Sequence, residues 1–388
     1  MKRFGLYIII LYMGLLLTGC HEYPVPPEQQ PRAEAERTVI VYMAADNTLT
    51  LQVREDTTEM VRSKGMIPED VNFIIYLDDR QHKPAIYELS AKKGMRLWKQ
   101  YQEELCSTNA DVMLNVLRQI EHYFPARHYG ITLWSHATGW TPRRNTFGKD
   151  ESYGTAESEM EIPELRNVLA HFPKFDYIFF DACFMQCIEV AYELKDVTHW
   201  LIGSPAEIPA PGAPYHKIVE SLCKADAKGI VEGYDSAYPL NNIYPGVLLS
   251  CIDCTQLDAL AHITGQFLTP FYMERSQPST EGFQIYCNFL DKYTYYFDMR
   301  TTMCRLLSTE DYSAWMELFD KAVPLRTHSS TNMWFSNGLC TLPFLDNPEC
   351  YGGVSMFVPL GVYDDYGWNA DFQKTSWYKA AGWEETGW

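Results

Sequence analysis

The chain has 388 residues, of which 46% are hydrophobic and 14% aromatic, so it can bury a sizeable core and is neither disordered nor fibrous. The chain has 32 basic and 50 acidic residues, and the net charge of −18 argues against a nucleic-acid partner. The same charge makes a cationic substrate easier to attract than an anionic one. The length fits one large domain or two ordinary ones.

The N-terminus carries the pattern of an export signal. Two basic residues, Lys2 and Arg3, precede the apolar run 4–17, and small residues then lead to Cys20. The run is too short for a comfortable transmembrane helix. The letters LTGC that end at Cys20 resemble a bacterial lipobox, in which this cysteine becomes the acylated first residue. The alternative is a simple signal peptide with a chance cysteine.

The composition divides the chain into four segments. Residues 1–19 are the predicted signal peptide, and residues 20–36, rich in Pro, Gln and Glu, are a lipidated tether with almost nothing to bury. The main domain covers 37–270, and 271–388 is either a C-terminal part of the same fold or a subdomain. We therefore expect a protein of the bacterial cell envelope that lipid anchors to the periplasmic or the surface side of the outer membrane. The alternative is a secreted protein.

Continuous apolar runs bounded by turn residues predict buried strands, and they alternate with segments of helical spacing. The predicted strands are 38–45, 71–77, 129–135, 175–182, 199–204 and 247–253, and the clearest predicted helices are 49–64, 109–123, 162–171, 185–194 and 255–272. This alternation predicts an α/β fold, a mostly parallel sheet with helices on both faces, followed by a helical C-terminal extension. In such a sheet the ligand site lies beyond the carboxyl ends of the strands.

Two of the predicted strands end in residues that carry chemistry. His136 follows the strand that reaches Leu133, and Cys183 follows the strand that reaches Phe180. If these strands are neighbours, the two side chains come within hydrogen-bonding reach. An imidazole beside a thiol takes its proton and later returns it to a leaving amine, which suggests acyl transfer on a peptide bond.

The backbone around these residues offers two further contributions. A helix that begins just after Cys183 would bring its positive end near the thiolate and lower the pKa of the thiol. The amides of Cys183 and Ala137 would bind an oxyanion. The alternative is that single His and Cys residues at strand ends are buried and inert.

Four blocks of sequence carry a resemblance to a known family. They are TVIVYMAADNTL (38–49), LWSHATGW (133–140), FFDACFMQCIEVAYELKD (179–196) and GGVSMFVP (352–359). In this order they resemble the clostripain-like cysteine peptidases, which have a caspase-like α/β fold. The resemblance implies a cysteine endopeptidase acting on polypeptides, with Cys183 as the nucleophile and His136 as the general base.

The same resemblance implies a substrate preference. Typical members cut after Arg or Lys with acidic groups in the pocket, and Asp181 matches one of these acids position for position. Glu207 is the candidate second acid. The chain departs from the family pattern at Ala137, where glycine is usual, and in the longer, proline-rich segment 204–212. These departures keep open a second hypothesis, a catalytically silent surface binding protein that keeps the peptidase fold.

Family members are often made as precursors that are cut in the loop after the catalytic histidine. The matching segment here, 141–160, is polar and rich in turn residues, as expected of an exposed, cleavable loop. Its basic residues include Arg144 and Lys149, which are the candidates for self-processing. The alternative is an ordinary surface loop.

No metal and no cofactor are predicted. The pairs Asp78–Asp79 and Asp364–Asp365 have the ligand chemistry that suits calcium, but paired carboxylates in loops are usually solvated, and no ligand spacing such as an EF-hand loop is present. The C-x-x-C at 251–254 lacks the second half of a zinc site and favours two buried thiols. The pair 46–47 is interpreted as a structural turn. The number of chains that assemble is left open.

Overall fold

Most of the chain beyond position 29 is described by the computed structural model. The described residues are 30–140, 147–151, 158–238, 246–268, 275, 279–286, 296–328, 332–335, 338–342, 345, 347 and 350–388. The predicted signal peptide and Cys20 lie outside them. Within these ranges no helix combines the length and the apolar character that a membrane crossing requires.

A central sheet organises the molecule. The strands are β1 (Ala35–Ala45), β2 (Val71–Asp79), β3 (His82–Ser90), β4 (Gly94–Gln100), β5 (Ala126–Trp134), β6 (Phe147–Asp150), β7 (Ser158–Met160), β8 (Phe175–Asp181), β9 (Thr198–Gly203), β10 (Leu248–Asp253), β11 (Phe297–Asp298), β12 (Leu325–His328), β13 (Asn332–Phe335), β14 (Gly338–Thr341) and β15 (Ser355–Met356). Nine of these described strands form one sheet in the order β12-β10-β9-β8-β5-β1-β2-β3-β4. The strands from β9 to β2 are parallel, and an antiparallel pair extends the sheet at each edge.

Helices lie between the strands and continue after the last one. They are α1 (Gln52–Arg62), α2 (Ala110–Tyr123), α3 (Ile162–Leu169), α4 (Ile188–Leu194), α5 (Tyr215–Lys224), α6 (Ala227–Asp235), α7 (Leu257–Leu268), α8 (Met299–Leu306), α9 (Thr309–Ala322), α10 (Trp368–Phe372) and α11 (Ser376–Ala380). Local chemistry explains where several begin. The Asn109 side chain accepts from the first amides of α2, and a proline occupies the first turn of α3.

Both faces of the sheet are buried, as predicted. Along β1, alternate residues enter two different cores: Val39 and Val41 join the core that contains side chains of α1, α5 and α6. Ile40 and Tyr42 join the core that contains side chains of α2, α3, α4 and α7. A strand buried on both faces must be apolar throughout, which is why the parallel strands stood out in the sequence.

Edge strands were not predicted from the sequence. β4 is largely half-exposed, and β12 is half-exposed along its whole length, so neither presents a continuous apolar run. β12 lies in the C-terminal part and pairs with β10, so this part adds a strand to the main sheet besides its helices. Cys251 and Cys254 are buried free thiols, as predicted.

The register between β5 and β8 has a local cause. Gly130 lies opposite Tyr177, and a Cβ at position 130 would lie 2.3 Å from the Tyr177 ring. The Tyr177 hydroxyl donates to the Leu222 carbonyl, 3.1 Å away, which holds the ring in this place. Only glycine leaves room for that ring, so this pair sets the alignment of the two strands.

Candidate active site

The two residues proposed for catalysis leave the sheet at the same level. Trp134 at the end of β5 pairs with Asp181 at the end of β8. His136 and Cys183 each follow two residues later, and both line one cleft of about 90 Å³. The predicted neighbourhood of the two strands is therefore confirmed.

The turn after β1 contacts the histidine. The Thr48 hydroxyl oxygen lies 2.8 Å from His136 Nε2. The preceding residue, Asn47, is fully buried, and its side-chain amide donates to the carbonyls of Ala44 and Lys149, both at 2.9 Å. Asn47 thus stabilises the turn, as predicted. It also positions Thr48. The contact between Thr48 and the imidazole could not be inferred from the sequence.

The prediction of a helix just after Cys183 is wrong. The next helix, α4, begins at Ile188. Phe184 adopts φ 61°, a left-handed conformation that cannot continue a right-handed helix. Its amide donates to the Ala206 carbonyl, and the Gln186 amide donates to the Ser204 carbonyl, both at 3.0 Å. These amides bind the loop after β9, so α4 does not begin beside the thiol.

The surroundings of the Cys183 thiol raise its pKa. Burial raises the pKa of Cys183 to about 12, although the Ile208 amide, which donates to Sγ at 3.4 Å, acts in the opposite direction. The carboxylates of Glu207 and Asp181 raise this pKa further. In this conformation the thiol is protonated at neutral pH, contrary to the expectation of a helix-lowered pKa.

Both acids predicted for substrate binding line the cleft. Asp181 is buried, and each of its carboxylate oxygens lies 3.1 Å from the Ala213 amide. The Tyr215 hydroxyl donates to one of them at 3.1 Å. Burial raises the pKa of Asp181 to about 7, and these hydrogen bonds limit the rise. Glu207 lies on the same cleft and is 5% exposed.

A further buried acid lies near Asp181. Asp56 on α1 accepts a hydrogen bond from the Trp134 indole at 2.8 Å. Burial and, second, the charge of Asp181 raise its pKa well above the usual range. The sequence did not reveal this residue, because its position on an amphipathic helix predicts an exposed or solvated acid rather than a buried one.

The backbone conformation at Ala137 does not require glycine. Among the described residues, a positive φ outside glycine occurs only at Phe184, Ala225 and Arg275, so Ala137 has a backbone conformation that ordinary residues adopt. Gly139, with φ 77°, is the position in this loop that needs glycine. The replacement of the usual glycine at 137 therefore does not strain the backbone there.

The candidate processing sites differ in what the structure describes. Arg144 lies outside the described residues. Lys149 belongs to β6, its carbonyl accepts from Asn47, and its ammonium pairs with Glu151 at 3.0 Å. Strand pairing and these contacts hold Lys149, which makes it a poorly accessible site for cleavage.

Tyr296 joins the histidine loop to the cysteine loop. Its hydroxyl donates to the Thr138 carbonyl. Its ring stacks on Phe184 with centroids 4.7 Å apart and an angle of 14° between the planes. Sequence reasoning missed this residue, since a tyrosine in an aromatic-rich stretch is usually a core residue.

Comparison with known proteins decides the family. The profile of the clostripain family, peptidase family C11, matches residues 41–388. The chain belongs to the clostripain family. It is therefore a cysteine endopeptidase with a polypeptide substrate, and the predicted enzyme class and caspase-like fold are confirmed.

Two solved structures are similar along nearly their whole length. One is a secreted C11 cysteine protease from Bacteroides thetaiotaomicron in complex with an irreversible peptide inhibitor, with a TM-score of 0.79 and 29% identity over 90% of this chain and 99% of that one. The other is an inactive zymogen C11 protease from Parabacteroides distasonis, with a TM-score of 0.77 and 26% identity over the same shares. A comparison with curated protein sequences gave no match.

The Tyr296 contact leads to a prediction for this clostripain-family chain. Tyr296→Phe keeps the stack on Phe184 and releases the Thr138 carbonyl, so the histidine loop loses one anchor. We expect kcat for peptide hydrolysis to fall about tenfold while KM changes less than about twofold, because misplacement of a reacting group costs rate rather than binding. Tyr192→Phe, which removes a hydroxyl that donates to Asp258 elsewhere, is the control. Equal kcat values for the two variants would contradict the positioning role.

Proposed function

We propose that the chain is an exported, lipid-anchored endopeptidase in which Cys183 is the nucleophile and His136 the general base, with a preference for Arg or Lys before the cleaved bond. The observation that carries the proposal is the pairing of Trp134 with Asp181. It brings the two side chains from neighbouring strand ends to one cleft. This supports their action on the same peptide bond.

The proposed reaction needs no group from outside the chain except water. His136 takes the proton of the Cys183 thiol, and the thiolate attacks the carbonyl carbon of the substrate. The amides of Ala137 and Cys183 are assigned to the resulting oxyanion. The carbon–nitrogen bond breaks as the imidazolium protonates the leaving amine, which leaves a thioester on Cys183. Water, with His136 as base, then hydrolyses the thioester and restores the thiol.

The first prediction from this assignment concerns the dyad. Cys183→Ala and His136→Ala should each lower the rate of peptide hydrolysis below about a hundredth of wild type, because positioned acid–base help alone contributes about 10²–10⁴-fold. Thermal unfolding should stay close to wild type, since both residues lie beyond strand ends and Cys183 only packs against the edge of a core. Fluorogenic peptides report the rate, and mass spectrometry of chain treated with a thiol-reactive peptide reports the labelled cysteine.

Matched variants separate the dyad from general effects. Cys304→Ala removes an exposed thiol, and His171→Ala removes an exposed imidazole whose Nδ1 lies 2.8 Å from the Asn167 carbonyl. Both should keep the wild-type rate. If either dyad variant retained more than about a hundredth of the rate, the assignment would be wrong. A wild-type chain that neither labels nor turns over would favour the silent binding protein.

The same preparations test self-processing. The intact chain holds the Cys183 thiol protonated in a small cleft, and a similar protein from Parabacteroides distasonis is described as an inactive zymogen. We propose that cleavage near Arg144 or Lys149 opens the site. Wild type should then appear as two fragments by mass spectrometry and Cys183→Ala as one chain. An active wild type that remains one chain would refute self-processing and leave the dyad intact.

The preference for a basic residue rests on two buried acids, Asp181 and Glu207, in the cleft. Since burial raises the pKa of Asp181 to about 7, its carboxyl is mostly neutral below that pH and charged above it. Only the charged form attracts a cationic side chain. A preference for Arg should therefore grow as the pH rises through about 7.

The corresponding prediction uses a ratio, which cancels the titration of the dyad. Two peptides are compared that differ only in the residue before the cleaved bond, which is Arg in one and Gln in the other. We expect the ratio of their kcat/KM values, Arg over Gln, to rise between about pH 6 and 8. Asp181→Asn should lower the ratio at pH 8 at least about tenfold and remove its pH dependence, because an unpaired buried cation costs about 2–5 kcal/mol. Glu220→Gln, an exposed acid on α5, is the control. Better cleavage after small apolar residues would refute the preference.

Export and anchoring are proposed from the N-terminal pattern that ends at Cys20. The similar Bacteroides protein is described as secreted, which supports a place outside the cytoplasm. Cys20→Ser should move the protein from the membrane fraction to the soluble fraction, because the tether offers no apolar face. A variant that stays in the membrane fraction would indicate an uncleaved apolar helix instead.

A further inference from the structure

A second cavity lies outside the catalytic cleft. It has a volume of about 240 Å³ and is lined by Trp140 and by residues at the start of α3, on α4 and at the end of α10. Among the described residues, its lining shares no member with the cleft that contains His136 and Cys183. Since a water molecule takes up about 30 Å³ in the liquid, the cavity has room for a small organic group.

The lining includes a buried carboxylate that lacks a donor for one of its oxygens. Glu189 on α4 is 2% exposed. Its Oε1 accepts from the Phe357 amide at 2.7 Å, whereas Oε2 has no hydrogen-bond partner among the described residues. Burial raises the pKa of Glu189 to about 8, and the groups that limit the rise are backbone amides rather than basic side chains. A buried carboxylate without a counter-charge is costly, so Glu189 points to a positive ligand.

Two other acids of the lining already have basic partners. Glu193, one turn further along α4, pairs with Arg166 of α3 at 3.0 Å. Asp371 of α10 pairs with the exposed Lys374 at 2.7 Å. Glu161, before α3, is an exposed acid of the same lining. Among the described residues, α11 and β15 also pack against α4 but add no charged side chain to the cavity. Negative charge therefore exceeds positive charge around it.

An aromatic ring forms another wall of the cavity. The Trp140 ring lies 5.1 Å from the Phe357 ring, with an angle of 76° between the planes, and 5.8 Å from the Phe372 ring. Because Phe357 also donates its amide to Glu189, one residue joins the aromatic wall to the carboxylate. The face of a tryptophan ring attracts cations more strongly than the face of tyrosine or phenylalanine. The wall thus suits a ligand that is both positive and partly apolar.

The arrangement of the acids does not suit a metal ion. Among the described residues, no three ligand atoms of this lining lie close enough together to share one ion. Hard metal ions such as calcium need oxygen ligands on all sides, and an apolar wall offers none. A cation that carries its charge at the end of an alkyl chain matches both the carboxylate and the apolar wall.

We propose that this cavity binds an organic monocation of the alkylammonium or alkylguanidinium class, with the charged end at Glu189 and the alkyl chain against Trp140. Lysine and arginine side chains carry these groups, and so do free alkyl amines. The lining is separate from the catalytic cleft, so the site does not depend on the proposed roles of His136 and Cys183.

The test uses the full-length chain with Cys183→Ala and Asp181→Asn, which prevents self-cleavage and removes the acid proposed to bind a cation in the cleft. n-Butylguanidinium and n-butylammonium chloride are titrated at constant ionic strength at pH 8.5, where most of the Glu189 carboxyl is charged. Ligand NMR signals and thermal unfolding are recorded. We expect saturable binding with a Kd below about 5 mM. n-Butanol, which has the same chain without the charge, should bind at least about tenfold more weakly.

Two variants of opposite effect locate the binding. Glu189→Gln keeps an acceptor for the Phe357 amide and should weaken n-butylguanidinium binding at least about tenfold, because a buried charge pair is lost. Lys374→Gln removes the ammonium that pairs with Asp371 and should strengthen binding about two- to fivefold, since this exposed ammonium competes with the ligand. Glu220→Gln, the exposed acid on α5, is the control and should leave binding unchanged.

A pair of blocked tripeptides identifies the source of the cation. The two peptides differ only in their central residue, which is Arg in one and Gln in the other. If the Arg peptide binds as tightly as n-butylguanidinium and the Gln peptide does not, the site takes basic side chains of polypeptides. If only the free cations bind, the site takes small amines.

Other outcomes would overturn the site. They are the absence of saturable binding of either cation below about 20 mM, equally tight binding of n-butanol, and unchanged binding in a folded Glu189→Gln chain. If Glu189→Gln does not fold, unchanged binding in Lys374→Gln would overturn it. If wild type proved inactive as a peptidase while cation binding required Glu189, the proposed dyad would fail and the cavity site would stand.

Discussion

The pairing of β5 with β8 is the constraint on which the active site depends. A slip of one residue would turn every side chain of one strand to the other face of a sheet that is buried on both sides. The contact between Gly130 and the Tyr177 ring leaves one alignment open. Because that alignment is fixed, His136 and Cys183 leave the sheet together, and the loops around them need only orient the side chains.

The loop after β9 both builds the cleft and holds the cysteine loop. It accepts hydrogen bonds from the Phe184 and Gln186 amides and donates one to the Cys183 sulfur through Ile208. This loop helps to bury the thiol, and burial raises the pKa of Cys183, while the Ile208 amide acts in the opposite direction. A protonated thiol agrees with the activation by cleavage proposed above.

Acidic side chains accumulate at this edge of the sheet for a shared physical reason. Asp56 and Asp181 lie beside the cleft, and Asp46 and Asp78 lie at the ends of β1 and β2. All four are buried, where a charge without a partner is costly. Asp181 lines the place proposed for a cationic substrate side chain, where burial makes the opposite charge the natural ligand.

The sequence alone determined the parallel strands, the two-faced burial and the strand-end positions of His136 and Cys183, because a strand covered on both faces must be apolar along its length. Tertiary structure alone decided the start of α4, since the left-handed Phe184 is held by backbone partners 20 or so residues away in the loop after β9. It also decided the raised pKa of Cys183, which comes from burial. The cavity that contains Glu189 exists only in the fold, because α3, α4 and α10 bring together residues that no local pattern connects.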